Sequence, residues 1–271
     1  MKSRNLKLGL FCISLLLFWA CEDVIDLDLN ESEPQITIEA QLQGGSHTFN
    51  VLISKSTPFF EPGTEEKVNN AVVTLIDDQG NDTDIPLVRD GEYSEHITAF
   101  VGRQYTLRVE IDGEVYEATS NLLQPVGLVD IEAKFQSAGF IEEDDGYEVI
   151  FYYEDPVGMD NYYRARFYIN DVPQFEGEFL QVLDDSFSDG ETARSPILTE
   201  IFQEGQNVTV ELMHFDKAAH DYFKALTDIL GEGGGIGAGI AAPGNPPSNW
   251  SGNILGHFTA FSSDTISIDI Q

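Results

Sequence analysis

The chain has 271 residues, 42% hydrophobic and 11% aromatic, enough for one large or two small domains with a real core, so wholesale disorder is excluded. Its 14 Lys+Arg against 47 Asp+Glu give a net charge of −33, a surface that repels phosphate backbones and argues against nucleic-acid partners. Such acidity reads first as solubility, and second as cation binding or charge matching to a partner.

The N-terminus is organised as a leader. Lys2, Arg4 and Lys7 form a basic region, and Leu8 to Ala20 an apolar run of 13 residues. That run is short for a membrane-spanning helix and fits the apolar region of a secretory signal peptide. Ala20 is the small residue before Cys21, while Phe18 stands where a lipobox usually has Leu. Residues 1–20 are therefore read as a lipoprotein signal peptide, Cys21 as the lipidation site, and 21–34 as an acidic tether. The alternative is an ordinary signal peptide with an incidental cysteine. Diacylglycerol and palmitate-type chains on Cys21 would anchor the protein firmly, at about 0.8 kcal/mol per buried methylene. Without the leader's three basic residues, 11 basic residues face 47 acidic ones, a net charge of about −36. Cys12 leaves with the leader, so the mature chain has no disulfide, no free thiol nucleophile and no multi-cysteine zinc site.

Residues 35–124 read as an Ig-like antiparallel β-sandwich. Ile36 to Leu42 and His47 to Ser54 alternate, with Gly44-Gly45 as the turn between them. The loop from Pro58 to Asn70 carries Phe59-Phe60, either a contact site or a hydrophobic lid. Ala71 to Ile76, Ile85 to Val88, Tyr105 to Ile111 and Val115 to Ser120 complete the strands. Their turns are Asp78-Gln79-Gly80-Asn81, Asp90-Gly91 and Asp112-Gly113.

Residues 125–271 read as a second β-rich domain with one helix. Its strands are Asp130 to Gln136, Tyr147 to Tyr153, Tyr162 to Ile169 and a segment through Val208, Val210 and Leu212. Tyr162, Tyr163, Phe167 and Tyr168 form either a ligand platform or packed sheet. The helix spans about 216–230, capped by Asp216, with Ala219, Tyr222, Phe223, Leu226 and Ile229 as the stripe that packs on the sheet. Residues 231–249 are a Gly/Pro-rich loop. Gly235, Gly237 and Gly239 make no dinucleotide fingerprint, because they follow a helix and run into prolines. Asn253 to Phe261 and Thr265 to Ile270 are expected as a closing pair of strands. Asp264-Thr265-Ile266 matches a short O-glycosylation pattern at Thr265.

No catalytic, cofactor-binding or metal site is expected. The histidines lack zincin spacing, and no nucleophile elbow or phosphate loop occurs. Asp184 to Gly190 looks like a calcium loop, but its glycine falls one residue late and Ser195 holds the closing position that should be glutamate. A carboxylate pair for glycan hydrolysis cannot be picked from so many acids.

The segment Cys21-Glu22-Asp23-Val24-Ile25-Asp26-Leu27-Asp28-Leu29 resembles the start of a Bacteroidota lipoprotein family, domain of unknown function 4249. Ala71 to Leu75 with Asp77 to Gly80, Gly102 to Leu107, Gly113 to Ala118 and Asn253 to Phe258 resemble its later segments, in order. The acidic residues after Cys21 are similar to the export signal of surface-exposed lipoproteins. The resemblance implies an outer-membrane, cell-surface accessory protein beside a TonB-dependent transporter, non-enzymatic and without cofactor, in nutrient capture or uptake. The ligand is unknown. A surface adhesin or matrix-binding module is the alternative, and a carboxylate-based glycan hydrolase the second.

Overall fold

A computed structural model describes residues 34–56, 65–137, 145–174, 181–186, 188–197, 201–230 and 244–271. Cys21, Phe59-Phe60, Phe187 of the calcium-like loop and the glycine run within 231–243 lie outside the described residues.

Among the described residues the regular structure is strand apart from one helix. In order these are β1 (Ile36–Gln43), β2 (Gly45–Lys55), β3 (Glu66–Lys67), β4 (Val72–Asp77), β5 (Asp82–Asp84), β6 (Leu87–Arg89), β7 (Glu92–Ala99), β8 (Arg103–Ile111) and β9 (Glu114–Leu122). Then come β10 (Leu128–Gln136), β11 (Gly146–Glu154), β12 (Tyr162–Ile169), β13 (Val172–Gln174), β14 (Gln181–Asp184), β15 (Thr192–Pro196), β16 (Asn207–Phe215), one helix α1 (Lys217–Ile229) and β17 (Phe258–Asp269).

They form three sheets. A ten-stranded sheet runs β13-β12-β16-β17-β1-β2-β7-β6, with β14 on β12 and β3 on β2. A four-stranded sheet, β5-β4-β8-β9, and a three-stranded sheet, β10-β11-β15, complete the set. The fold is mainly β and built as sandwiches. One core joins Ile38, Val51 and Phe258 of the large sheet to Leu75 and Leu107 of the four-stranded sheet. A second joins Tyr163, Phe167 and Val210 to Val149 and Phe151. One continuous sheet serves both cores, and Trp250, Ile254, Phe258 and Ala260, far beyond Pro125 in the chain, belong to the first.

Period-two alternation puts both cores on the same face of the large sheet. In β1, Ile38, Ala40 and Leu42 are buried while Glu39 and Gln41 point out. In β12, Tyr163, Ala165 and Phe167 turn inward while Tyr162, Arg164, Arg166 and Tyr168 lie on the other face. The aromatic stretch is therefore divided between two faces and does not form a platform. Helix α1 covers part of the outer face, where Ala219, Tyr222, Phe223 and Leu226 meet Met213, Phe215 and Phe261. Asp216 caps it as expected, accepting the Ala219 N–H at 3.1 Å.

Two expectations are corrected. Of the strand anticipated at Ile85 to Val88, only Leu87 and Val88 lie in a strand, β6; Ile85 and Pro86 are outside it, and Pro86 cannot donate to a ladder. The closing pair of strands is one strand, β17. Its first half runs parallel to β1, pairing Ala40 with Phe258 and Gln43 with Phe261. Its second half runs antiparallel to β16, pairing His214 with Ser262 and Asn207 with Asp269. The polar stretch Ser262-Ser263-Asp264 marks a change of core, where the strand leaves the first and enters the second, and it needs no turn.

Candidate functional site

The outer face of the large sheet is polar except where α1 lies, and a cavity of about 180 Å³ opens at that seam. β1 contributes Glu39, Ala40 and Gln41; β12 contributes Arg164; the approach to β17 and the strand itself contribute His257 and Thr259; the helix contributes Tyr222, Phe223 and Leu226. Each arrives by simple periodicity. Outward positions alternate along the strands, and Tyr222, Phe223 and Leu226 share one side of a helix fixed by its Asp216 cap.

Arg164 is the chemically distinctive member. Its guanidinium carbon sits 4.5 Å from the centroid of the Phe223 ring. Its Nε is buried and makes no hydrogen bond among the described residues. Burial, and then repulsion from Arg166, pull its pKa down to about 10, with Glu211 acting in the opposite direction. It is still a cation at neutral pH. Its neighbour Arg166 is differently placed. Arg166 bonds Gln41 Oε1, lies 3.7 Å from the buried Glu211 carboxylate, and rests over Phe261. Glu211 also accepts the Tyr168 hydroxyl at 2.9 Å.

His257 and Tyr222 form the other wall, with ring centroids 4.9 Å apart and planes inclined by 31°. His257 is only 4% exposed, and burial pulls its pKa down to about 4 against the opposing effects of Asp216 and the Ala218 carbonyl. Its Nδ1 meets Thr259 Oγ1 at 2.9 Å. Burial, and then the Glu39 carboxylate, push the Tyr222 phenol up to about 12. At neutral pH the described residues of the site thus present one cation, one carboxylate, a neutral imidazole, a neutral phenol, an amide and an aromatic wall. These groups suit holding a ligand by charge and shape.

His257 also makes a stability prediction. Its folded pKa lies below the ordinary value of 6.5, so the unfolded chain takes up the proton first as pH falls. Its neutral form is fully compatible with the fold above about pH 7, and stability is lost between there and about pH 4. The loss at about pH 5 relative to about pH 8 should be about 2 kcal/mol. Asp155, 5% exposed and raised by burial, works in the opposite direction, since its folded form gains as it is protonated. Urea unfolding of wild type and His257→Gln at both pH values checks this. The variant's pH dependence should be flatter by that amount.

A second polar cluster lies at the edge of the other core. Asp155 accepts the Tyr163 hydroxyl and the Gly190 N–H. In the calcium-like loop Asp185 takes the Asn161 N–H at 2.8 Å, and Asp189 the Gly158 N–H at 2.6 Å. These carboxylates fix the 155–161 turn to the loop by accepting backbone donors. Among the described residues no three His, Cys, Asp or Glu side chains are grouped as a metal site.

Thr265 lies exposed on β17 opposite Glu211. His214 and His220 fall on opposite faces of the large sheet: His214 meets Tyr163 within, His220 meets Tyr162 under the helix. The sequence reading assigned Tyr222, Phe223 and Leu226 to helix packing, which they do while also lining the cavity. It gave no role to Arg164 or His257. The available signal was two arginines alternating with aromatics in β12.

The family model described as Domain of unknown function (DUF4249) matches residues 22–267. No curated protein matches the chain. Among solved structures it is similar to a two fibronectin type-III domain segment from chicken tenascin, at 14% identity and TM-score 0.22, covering 67% of this chain and 90% of that one. It is also similar to a Salmonella alpha-2-macroglobulin mutant, at 10% identity and TM-score 0.24, covering 69% of this chain and 14% of that one.

Proposed function

We propose, from the premise that this chain belongs to the DUF4249 family, that it is a lipid-anchored, non-enzymatic accessory protein of the outer membrane. It faces the cell surface and works beside a TonB-dependent transporter in nutrient capture or uptake. The leader ending at Ala20-Cys21 supports the anchor, and the acidic residues after it support the surface address. The observation that carries the binding role is the Arg164 cavity, where a cation with no carboxylate partner among the described residues faces open space. Among the described residues Glu39 is the one carboxylate on its wall, and no second acid there pairs with it for glycan hydrolysis.

Affinity purification of the tagged chain from outer membranes in mild detergent tests this. A β-barrel transporter should be recovered with the wild type. Cys21→Ala should leave the membrane fraction and lose that partner. Recovery of no barrel protein with the wild type would sink the proposal.

A further inference from the structure

We infer that the Arg164 cavity binds a small organic monocarboxylate. This rests on reading the chain as a binding protein and names the ligand class of its site. Nine of the 11 basic residues of the mature chain have a carboxylate oxygen within 4.0 Å among the described residues. Of the other two, Lys224 is exposed on α1 and solvated by water. Arg164 alone is half-buried with no described carboxylate in reach, in a chain otherwise crowded with acids. A partly desolvated cation without a partner is unfavourable, and an incoming anion relieves that.

The geometry narrows the anion. A guanidinium offers parallel N–H groups from Nε and a terminal nitrogen, a fork that a planar carboxylate matches with two hydrogen bonds. Here Nε is free of partners and Phe223 covers the group from one side. The cavity, about 180 Å³, admits a compact molecule, and Phe223 and Leu226 give its body an apolar lining. Gln41 and Thr259 supply polar contacts. Glu39, on the same wall, repels a second negative charge, so a singly charged carboxylate is favoured over inorganic phosphate, much of which carries two charges at neutral pH.

Titration calorimetry on the purified mature chain in detergent tests this, with acetate, isobutyrate, benzoate and L-alanine as probes and inorganic phosphate as the comparison. At least one carboxylate should bind more tightly than phosphate. Arg164→Gln should weaken it by about tenfold or more, the loss of one charge-assisted pair. Leu226→Trp leaves Arg164 in place but fills the cavity, and should weaken binding as much. It also decides the matter if Arg164→Gln fails to fold. Arg108→Gln, at an exposed pair with Glu117, should change nothing. Absence of carboxylate binding, phosphate binding as tight, or affinities unmoved in the folded variants would overturn the inference. Co-purification of a barrel protein does not depend on this cavity, so failure here leaves the transporter reading to its own experiment.

Discussion

Gly256→Ala should destabilise the protein by about 4 kcal/mol or more, the largest effect of any single methyl group considered. Gly256 has φ of +84°, in the left-handed region, where a side chain adds about 1–2 kcal/mol. The larger part is steric. A Cβ there would lie 2.3 Å from the Ile38 carbonyl oxygen and 2.9 Å from its carbon. That carbonyl cannot retreat freely. It accepts the Trp250 indole N–H at 3.1 Å, while the Ile38 N–H is held by Leu255 O at 2.9 Å and Ile38 pairs with Ile53 across β1 and β2. Any shift loosens hydrogen bonds worth about 1 kcal/mol each and strains a packed core by about 1–3 kcal/mol. Gly252 is the control. Its φ is +80°, but its added Cβ would meet only the Tyr116 ring at 3.6 Å, so Gly252→Ala should cost about 1–2 kcal/mol. Urea unfolding of both variants, with unchanged slope, checks the contrast; similar losses would mean that the approach to Ile38 is not limiting.

Asp216→Ala should cost about 3–5 kcal/mol and weaken the cavity's far wall. One carboxylate oxygen caps α1 through the Ala219 N–H. The other accepts the Ser120 hydroxyl and the Asn121 N–H, each at 2.9 Å. Ser120 is fully buried and in turn accepts the Ala260 N–H of β17 at 2.9 Å. Asp216 therefore ties the helix to β9 and, through one hydroxyl, to β17. Alanine forfeits the cap, about 1 kcal/mol, leaves the buried Ser120 hydroxyl unpaired at about 1–3 kcal/mol, and loses the more exposed bond from the Asn121 N–H, about 1 kcal/mol. Asp216→Asn keeps an acceptor and should lose only about 1–2 kcal/mol. Lys217→Ala breaks the exposed pair with Asp221 and should stay within about 0.5 kcal/mol. Chemical denaturation of the three variants gives the ranking, and a loss for Asp216→Ala no larger than that for Lys217→Ala would refute it.

The strands were legible wherever one face is buried, because alternation is then forced. Tyr105, Leu107, Val109 and Ile111 of β8 are all inside, as their spacing requires. The helix was legible for the same reason, with its cap at Asp216 and its stripe through Ala219, Tyr222, Phe223 and Leu226, whereas Ile229, expected in that stripe, is 38% exposed near the helix end. Partner choice was not, because a period of two says which face is buried and nothing about which strand lies alongside. That is why the parallel pairing of β1 with β17 was missed, and why three polar residues were mistaken for a break. The cavity was hidden for a related reason. Arg164 occupies an outward position of β12, where a charged residue is ordinary. Its lack of an acid becomes visible only once α1 and β17 are set over it.

The pairing of β1 with β17 also sets an order of events. Trp250 and Ile38, bonded directly, stand 212 positions apart in the chain. The first core cannot close until Phe258 and Ala260 have emerged from the ribosome. Contacts of such long range form late, since loop closure must be met before they reward it. The early strands thus wait, unsealed, for most of the polypeptide to arrive.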